Sequence, residues 1–232
     1  MNNVNLFNNS KCDVSEKLRN FPKYVRRQAI ASFLAKTDLF NRQINIKGSI
    51  VECGVHHGGG LFTWAHLSSI KEPYNYHRKI IGFDTFEGFP SVVESDGSGP
   101  MAKTGAFSVN YDVYDELQEC IKVYDDNRFI NNENKIELIK GDANKTIPQY
   151  VKENQHLIIS LLYLDFDIYE PTVTALKNLL PRVPKGGIVA FDEVNNSEWP
   201  GETIALLEEM GLRHNRLECC NYEPNISFIQ LD

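Results

Sequence analysis

Five apolar runs rich in β-branched residues alternate with helix-like stretches along the chain, and each run closes on a carboxylate or a glycine cluster. The runs are residues 48–55 (GSIVECGV), 79–84 (KIIGFD), 135–142 (KIELIKGD), 157–165 (LIISLLYLD) and 186–192 (GGIVAFD). Residues 60–70, 114–124, 146–153, 171–180 and 201–210 read as helices. Such alternation implies a parallel sheet with helices on both faces, because each parallel crossover needs a helix. The near-continuous apolarity of the runs fits burial on both sides. Residues 216–220 and 225–231, flanking Tyr222-Glu223-Pro224, predict a strand pair that closes the chain. The expected fold is therefore α/β, a Rossmann-like sheet, mostly parallel, with an antiparallel C-terminal strand.

A chain of 232 residues suits one such domain. Residues 21–232 are expected to form it, led by amphipathic helices in which Val25, Ile30, Phe33, Leu34 and Leu39 recur at helical spacing. Residues 1–20 begin Asn-rich and without periodicity, and are expected to be a mobile tail. Residues 90–104 are rich in Ser, Gly and Pro, and are expected to be a mobile lid loop near the site.

The formal net charge of −7 disfavours an extended nucleic-acid interface, which needs clustered Lys and Arg. No apolar run approaches the ~20 residues that span a bilayer. The five cysteines form no CxxC pair. Their odd number and the lack of a signal-like segment lead us to expect reduced thiols in a cytoplasmic protein. A homodimer built through the leading helices is the expected assembly.

In open α/β sheets a ligand sits beyond the carboxyl ends of the strands, so the chemistry is sought there. After the first run, Gly54, Gly58 and the glycines that follow let a ligand approach the backbone, while Glu52 could accept from an ammonium group. The spacing is not the dinucleotide fingerprint, since His56 occupies the place of its second glycine. Asp84 ends the second run, where an acid can hold ribose hydroxyls or cap a turn. Asp142, with Ala143, follows the third run and could bind an adenine amino group or cap a helix. Asp165 closes a run too apolar to leave a carboxylate unpaired without cost. Asp167 and Glu170 fit a capping box ahead of Pro171. Asp192 and Glu193 follow the fifth run, so Asp165, Asp192 and Glu193 could offer Mg²⁺ three hard oxygen ligands. His56 and His57 could touch substrate without acting as bases.

Taken in order, ECGVHHGGG (52–60), GFDTFEGFP (82–90), KGDANKTIP (140–148), LYLDFDIYEPT (162–172), GGIVAFDEVNN (186–196) and WPGET (199–203) resemble the macrocin O-methyltransferase (TylF-like) family. FPKYVRRQAI (21–30) resembles its helical lead-in segment. The resemblance implies a class I methyltransferase fold, S-adenosylmethionine as methyl donor, a divalent cation (usually Mg²⁺), and a hydroxyl acceptor on a sugar or glycosylated metabolite. It implies that Glu52 and Gly54 hold the donor's methionine part, Asp84 and Thr85 its ribose, and that Asp142 and Ala143 flank its adenine. Asp165 would be general base and metal ligand, with Asp192 and Glu193 completing the metal site. The chain departs from the family pattern at Glu193, where a second aspartate is common, and at Tyr163, where a basic residue is common.

Two other classes compete. An NAD-dependent oxidoreductase on a similar sheet lacks its glycine fingerprint here and has no use for acids at the fourth and fifth strand ends. A non-catalytic binding protein has no need of Asp165, Asp192 and Glu193 together.

Overall fold

The computed structural model describes residues 2–232. In chain order its helices are α1 (Asn3–Asn9), α2 (Val14–Arg19), α3 (Arg27–Gln43), α4 (Gly59–Lys71), α5 (Val113–Asp126), α6 (Ala143–Glu153), α7 (Tyr169–Leu179) and α8 (Gly201–Glu209). Its strands are β1 (Ser49–Cys53), β2 (Ile80–Asp84), β3 (Ile136–Lys140), β4 (Ile159–Leu164), β5 (Ile188–Phe191), β6 (Glu218–Cys219) and β7 (Ser227–Gln230).

The strands form one sheet in the order β3-β2-β1-β4-β5-β7-β6. β1 to β5 are parallel, and β7 runs antiparallel to both β5 and β6. The order reverses between β1 and β4, so this pair is the switch point at which α/β sheets open a crevice. Alternate side chains divide the core in two. Ile50, Ile80, Leu161, Tyr163 and Ile188 pack with residues of α3, α4 and α5. Val51, Ile81, Leu162, Leu164 and Val189 pack with residues of α6, α7 and α8. The period of two along a strand produces this division.

The tail departs from expectation in its structure. Asn2 and Asp13 cap α1 and α2 with their side chains, and Phe7 meets Tyr24 edge-on at 5.3 Å. Short capped helices escape a periodicity search because they are too short to show a repeat. α6 begins at Ala143 rather than at Thr146, because Asp142 accepts from Asn144 N–H and starts the helix three residues early. All five cysteines are free thiols. Among the described residues no helix is long and apolar enough to cross a membrane.

Candidate active site

The carboxyl ends of β1 to β5 meet on one edge of the sheet, and backbone hydrogen bonds carry the ladder just past them. Gly54 N–H donates to Phe83 O (2.9 Å), Asp165 N–H to Cys53 O (2.8 Å), Asp192 N–H to Leu164 O (3.0 Å) and Gly141 N–H to Asp84 O (2.9 Å). The residues following the strands are thereby fixed side by side.

A cavity of about 240 Å³ opens there. Gly54, Asp84, Thr85, Asp142, Ala143 and Asp165 all line it, although they come from four different strand ends. His56 lines it too, as do Phe86, Phe89 and Phe107. The aromatic wall was not foreseen: these rings lie in an irregular stretch with no pattern to mark them.

Gly54 sits at φ +94, and a Cβ there would lie 1.9 Å from the carbonyl oxygen of Asp165. Only glycine permits this approach of β1 to the end of β4. Asp84 organises the next turn. Its Oδ2 accepts from Val55 and His56 N–H, both at 2.8 Å, and its Oδ1 accepts from Phe86 N–H at 2.7 Å. Three of about four acceptor sites are filled, leaving one on Oδ1. Thr85 Oγ1 donates to Gly88 O, which turns the following loop back over the cavity. Asp142 serves as the N-cap of α6 and pairs with Lys145 at 2.9 Å, while still lining the cavity. Burial and neighbouring His57 hold the His56 imidazole below its ordinary range, so it stays neutral near pH 7.

Two of the glycine-loop candidates lie outside the cavity wall. Glu52 is 2% exposed and faces α3 and α4, with its Oε2 lacking a hydrogen-bond partner. Burial pushes its carboxyl up to about 8, against the pull of the Lys36 ammonium. Gly58, at φ +81, starts α4 and packs on Leu117 of α5. Its glycine is needed for backbone shape and helix packing.

The acids beyond β4 and β5 feel one another. Burial, then Asp192 and Asp167, raise the Asp165 carboxyl well above the usual range. Burial, Glu193 and Asp192 raise Asp167 to about 7. Tyr163 Oη donates to Asp192 Oδ1, and Glu193 accepts from Asn196 Nδ2. Glu202, from the first turn of α8, is fully buried and accepts Glu193 N–H at 3.0 Å on Oε2, while its Oε1 has no partner. It lay unread within WPGET. These acids lie close enough to feel one another's charge, yet among the described residues no three His, Cys, Asp or Glu side chains surround a common point as metal ligands would. Asp165 and Asp192 are neighbours, whereas Glu193 turns to Asn196 Nδ2, so the three form no closed cage. All three are carboxylates, the ligand type that a hard cation takes.

Asp167 does not cap α7. The cap position belongs to Ile168, which has no side-chain oxygen, and Asp167 adopts the left-handed region at φ +61. The capping oxygen comes from Asp96, 73 positions earlier, whose Oδ1 accepts Tyr169 N–H at 2.6 Å.

A seven-stranded sheet of this order, with its cavity at the carboxyl ends of β1 to β4, is a class I methyltransferase architecture. Residues 29–206 match the macrocin-O-methyltransferase (TylF) family, and the chain belongs to it. The structure superimposes on the calicheamicin methyltransferase CalS11 with a TM-score of 0.95 and 37% identity, covering 98% of this chain and 89% of that one. On apo CalS11, a TDP-rhamnose 3'-O-methyltransferase of calicheamicin biosynthesis, the TM-score is 0.85 with 34% identity, over 98% of this chain and 91% of that one. Demethyldecarbamoylnovobiocin O-methyltransferase of Streptomyces niveus is 27% identical over 151 residues, 64% of this chain. The chain spans about half of that relative, 53% of its length.

Proposed function

We propose that this protein transfers a methyl group from S-adenosylmethionine to a hydroxyl of a sugar or glycosylated small molecule. The observation that carries the reading is the convergence of Gly54, Asp84, Asp142, Ala143 and Asp165 on one cavity at the switch point of the sheet. The kinship with CalS11, which acts on TDP-rhamnose, supports a sugar acceptor.

In this reading Asp84 keeps one acceptor site on Oδ1 for a ribose hydroxyl, and the Gly54 turn lies against the donor's methionine part. Asp142 and Ala143 flank the adenine. The acceptor oxygen attacks the methyl carbon, the carbon–sulfur bond breaks with its electron pair going to sulfur, and S-adenosylhomocysteine leaves. The hydroxyl proton would pass to Asp165 in its ionised form, which the nearby Lys36 ammonium favours against burial and the neighbouring acids. An alcohol near pKa ~16 and an ordinary carboxylate near ~4 differ by about 12 units, roughly 16 kcal/mol. Burial alone does not close that gap. Asp165, Asp192 and Glu193 would hold a divalent cation, which when bound lowers the pKa of an oxygen it contacts. Residues 90–104 would cover the donor as a lid.

Incubation with labelled S-adenosylmethionine and TDP-rhamnose, alongside other nucleotide-linked or glycosylated sugars, tests the reading. Label is expected on a sugar hydroxyl. Tight binding of S-adenosylhomocysteine with label on no sugar would retire the sugar class. Absence of S-adenosylhomocysteine binding would retire the methyltransferase reading itself.

A further inference from the structure

Asp96 is a buried acid that the reaction outlined above leaves unused. It lies midway along the segment joining β2 to α5, in a 3-10 turn (Glu94–Asp96), and is 1% exposed. Its Oδ2 accepts Val93 N–H at 2.7 Å and its Oδ1 accepts Tyr169 N–H at 2.6 Å. No lysine, arginine or histidine pairs with it among the described residues. Its charge is met by backbone donors, one of them at the positive end of α7, which has no cap of its own.

Three chain segments close on this side chain. A Cβ on Gly201, at the start of α8, would come within 2.9 Å of Asp96 Oδ1, 2.7 Å of Tyr169 N and 3.1 Å of Asp167 O. Next to Asp96, Gly97 adopts φ +82 and packs against Glu198 O and Pro200. Asp96 therefore joins the middle of the β2–α5 segment to the link that carries Asp165 and Asp167, and to the turn before Glu202. The two ends of the same segment form the aromatic side of the cavity, with Phe86 and Phe89 before Asp96 and Phe107 after it.

We propose that Asp96 is a positioning residue: by capping α7 from a distance it pins the β2–α5 segment down over the donor cavity and fixes that segment's register against the strand end bearing Asp165. The idea rests on the donor reading above for what the cavity holds, while the tether itself is independent of it. A floppy lid would carry its own internal bonds only, whereas this one is also fastened at its midpoint by a short bond from Tyr169 N–H of α7 to a buried carboxylate.

Lys103 makes the tether measurable, since it is the sole lysine or arginine between Asp84 and Asp112 and is exposed. Native-state trypsin digestion, thermal melting and calorimetric titration with S-adenosylhomocysteine are to be compared in wild type, Asp96→Ala and Asp96→Asn. Asp96→Asn keeps the shape but turns an amide NH₂ toward one of the two N–H donors. Cleavage after Lys103 is expected to accelerate at least tenfold in both variants while cleavage elsewhere keeps its wild-type rate, and S-adenosylhomocysteine affinity is expected to fall about tenfold. Wild-type cleavage at Lys103 in both variants would overturn the proposal. So would a uniform acceleration at every site that tracks the drop in melting temperature, which is what a purely structural helix cap predicts. If wild type fails to bind S-adenosylhomocysteine, the donor reading falls, and the cleavage pattern at Lys103 still decides the tether.

Discussion

The Tyr163 hydroxyl donates to Asp192 Oδ1 and accepts from Lys36 Nζ at 3.2 Å, so a lysine on α3 reaches the end of β5 through a buried phenol on β4. The same ammonium lies 4.5 Å from the centre of the Tyr163 ring. Tyr163 also pairs in register with Glu52 across β1 and β4, which puts Lys36 among three acids: Glu52, Asp165 and Asp192. A cation thus reaches position 163 of the strand from a helix 127 residues away in sequence.

Tyr163→Phe removes the link and leaves the ring. Asp192 then loses its donor, and Lys36 keeps only Ser32 Oγ as an acceptor. Methyl transfer is expected to fall about tenfold in kcat, while S-adenosylhomocysteine affinity, read by calorimetry, changes less than threefold. Stability is expected to drop by about 1–2 kcal/mol in urea denaturation, as for other buried groups left without a partner. Unaltered kcat would mean that the position of Asp192 does not matter for turnover.

Gly54→Ala introduces a Cβ where the Asp165 carbonyl already stands, at a backbone angle that alanine rarely adopts. The β1 and β4 ends must separate, and with them the Gly54 turn and Asp165. The variant is expected to lose S-adenosylhomocysteine binding and to be destabilised by roughly 3 kcal/mol or more. Near-wild-type binding and melting would show that the close approach is dispensable.

The acids of the site also set how stability depends on pH. Asp167 has its carboxyl raised to about 7 and Glu52 to about 8, each above its unfolded value, and Asp165 and Glu202 shift the same way. The native state therefore binds more protons than the unfolded one between about pH 4 and pH 8. Stability from these groups is complete below pH ~4 and is lost as pH rises through 7 to 8. His56 and His66 oppose this, but only just below their ordinary range near 6.5. Urea midpoints measured without added metal are expected to be lower at pH 8 than at pH 5.5. Asp167→Asn should flatten the profile, since a shift of about three units corresponds to on the order of 4 kcal/mol. A midpoint that climbs from pH 5.5 to pH 8 would contradict this.

How far the sequence reached depends on where each partner lies along the chain. The five strand runs were legible because burial on both faces demands unbroken apolarity, and their ends pointed to Asp84, Asp142 and Asp165 because a carboxylate at such a place is conspicuous. Asp167 was misread: D-x-x-E before a proline satisfies the local capping rule, yet the oxygen on α7 comes from Asp96, and no local rule sees across 73 residues. Lys36 was invisible for the same reason, as one lysine on an amphipathic helix. Glu52 and Gly58 sat in a readable glycine loop, but the pattern cannot tell a side chain that faces a cavity from one that faces a helix. The short helices α1 and α2 depend on their Asn2 and Asp13 caps rather than on a repeat.

The proposed function includes a divalent cation held by Asp165, Asp192 and Glu193. Calorimetric titration is expected to show Mg²⁺ binding that weakens at least tenfold in Glu193→Gln, with methyl transfer abolished in EDTA and restored by Mg²⁺. Full activity in chelator would remove the cation from the account.

The most direct measurement is a paired one on Asp165→Asn, taking S-adenosylhomocysteine affinity by calorimetry and methyl transfer by label incorporation from the same preparation. The account predicts binding within threefold of wild type and transfer below about one per cent of it. Turnover at the wild-type rate would show that the acid at the end of β4 takes no part in the chemistry.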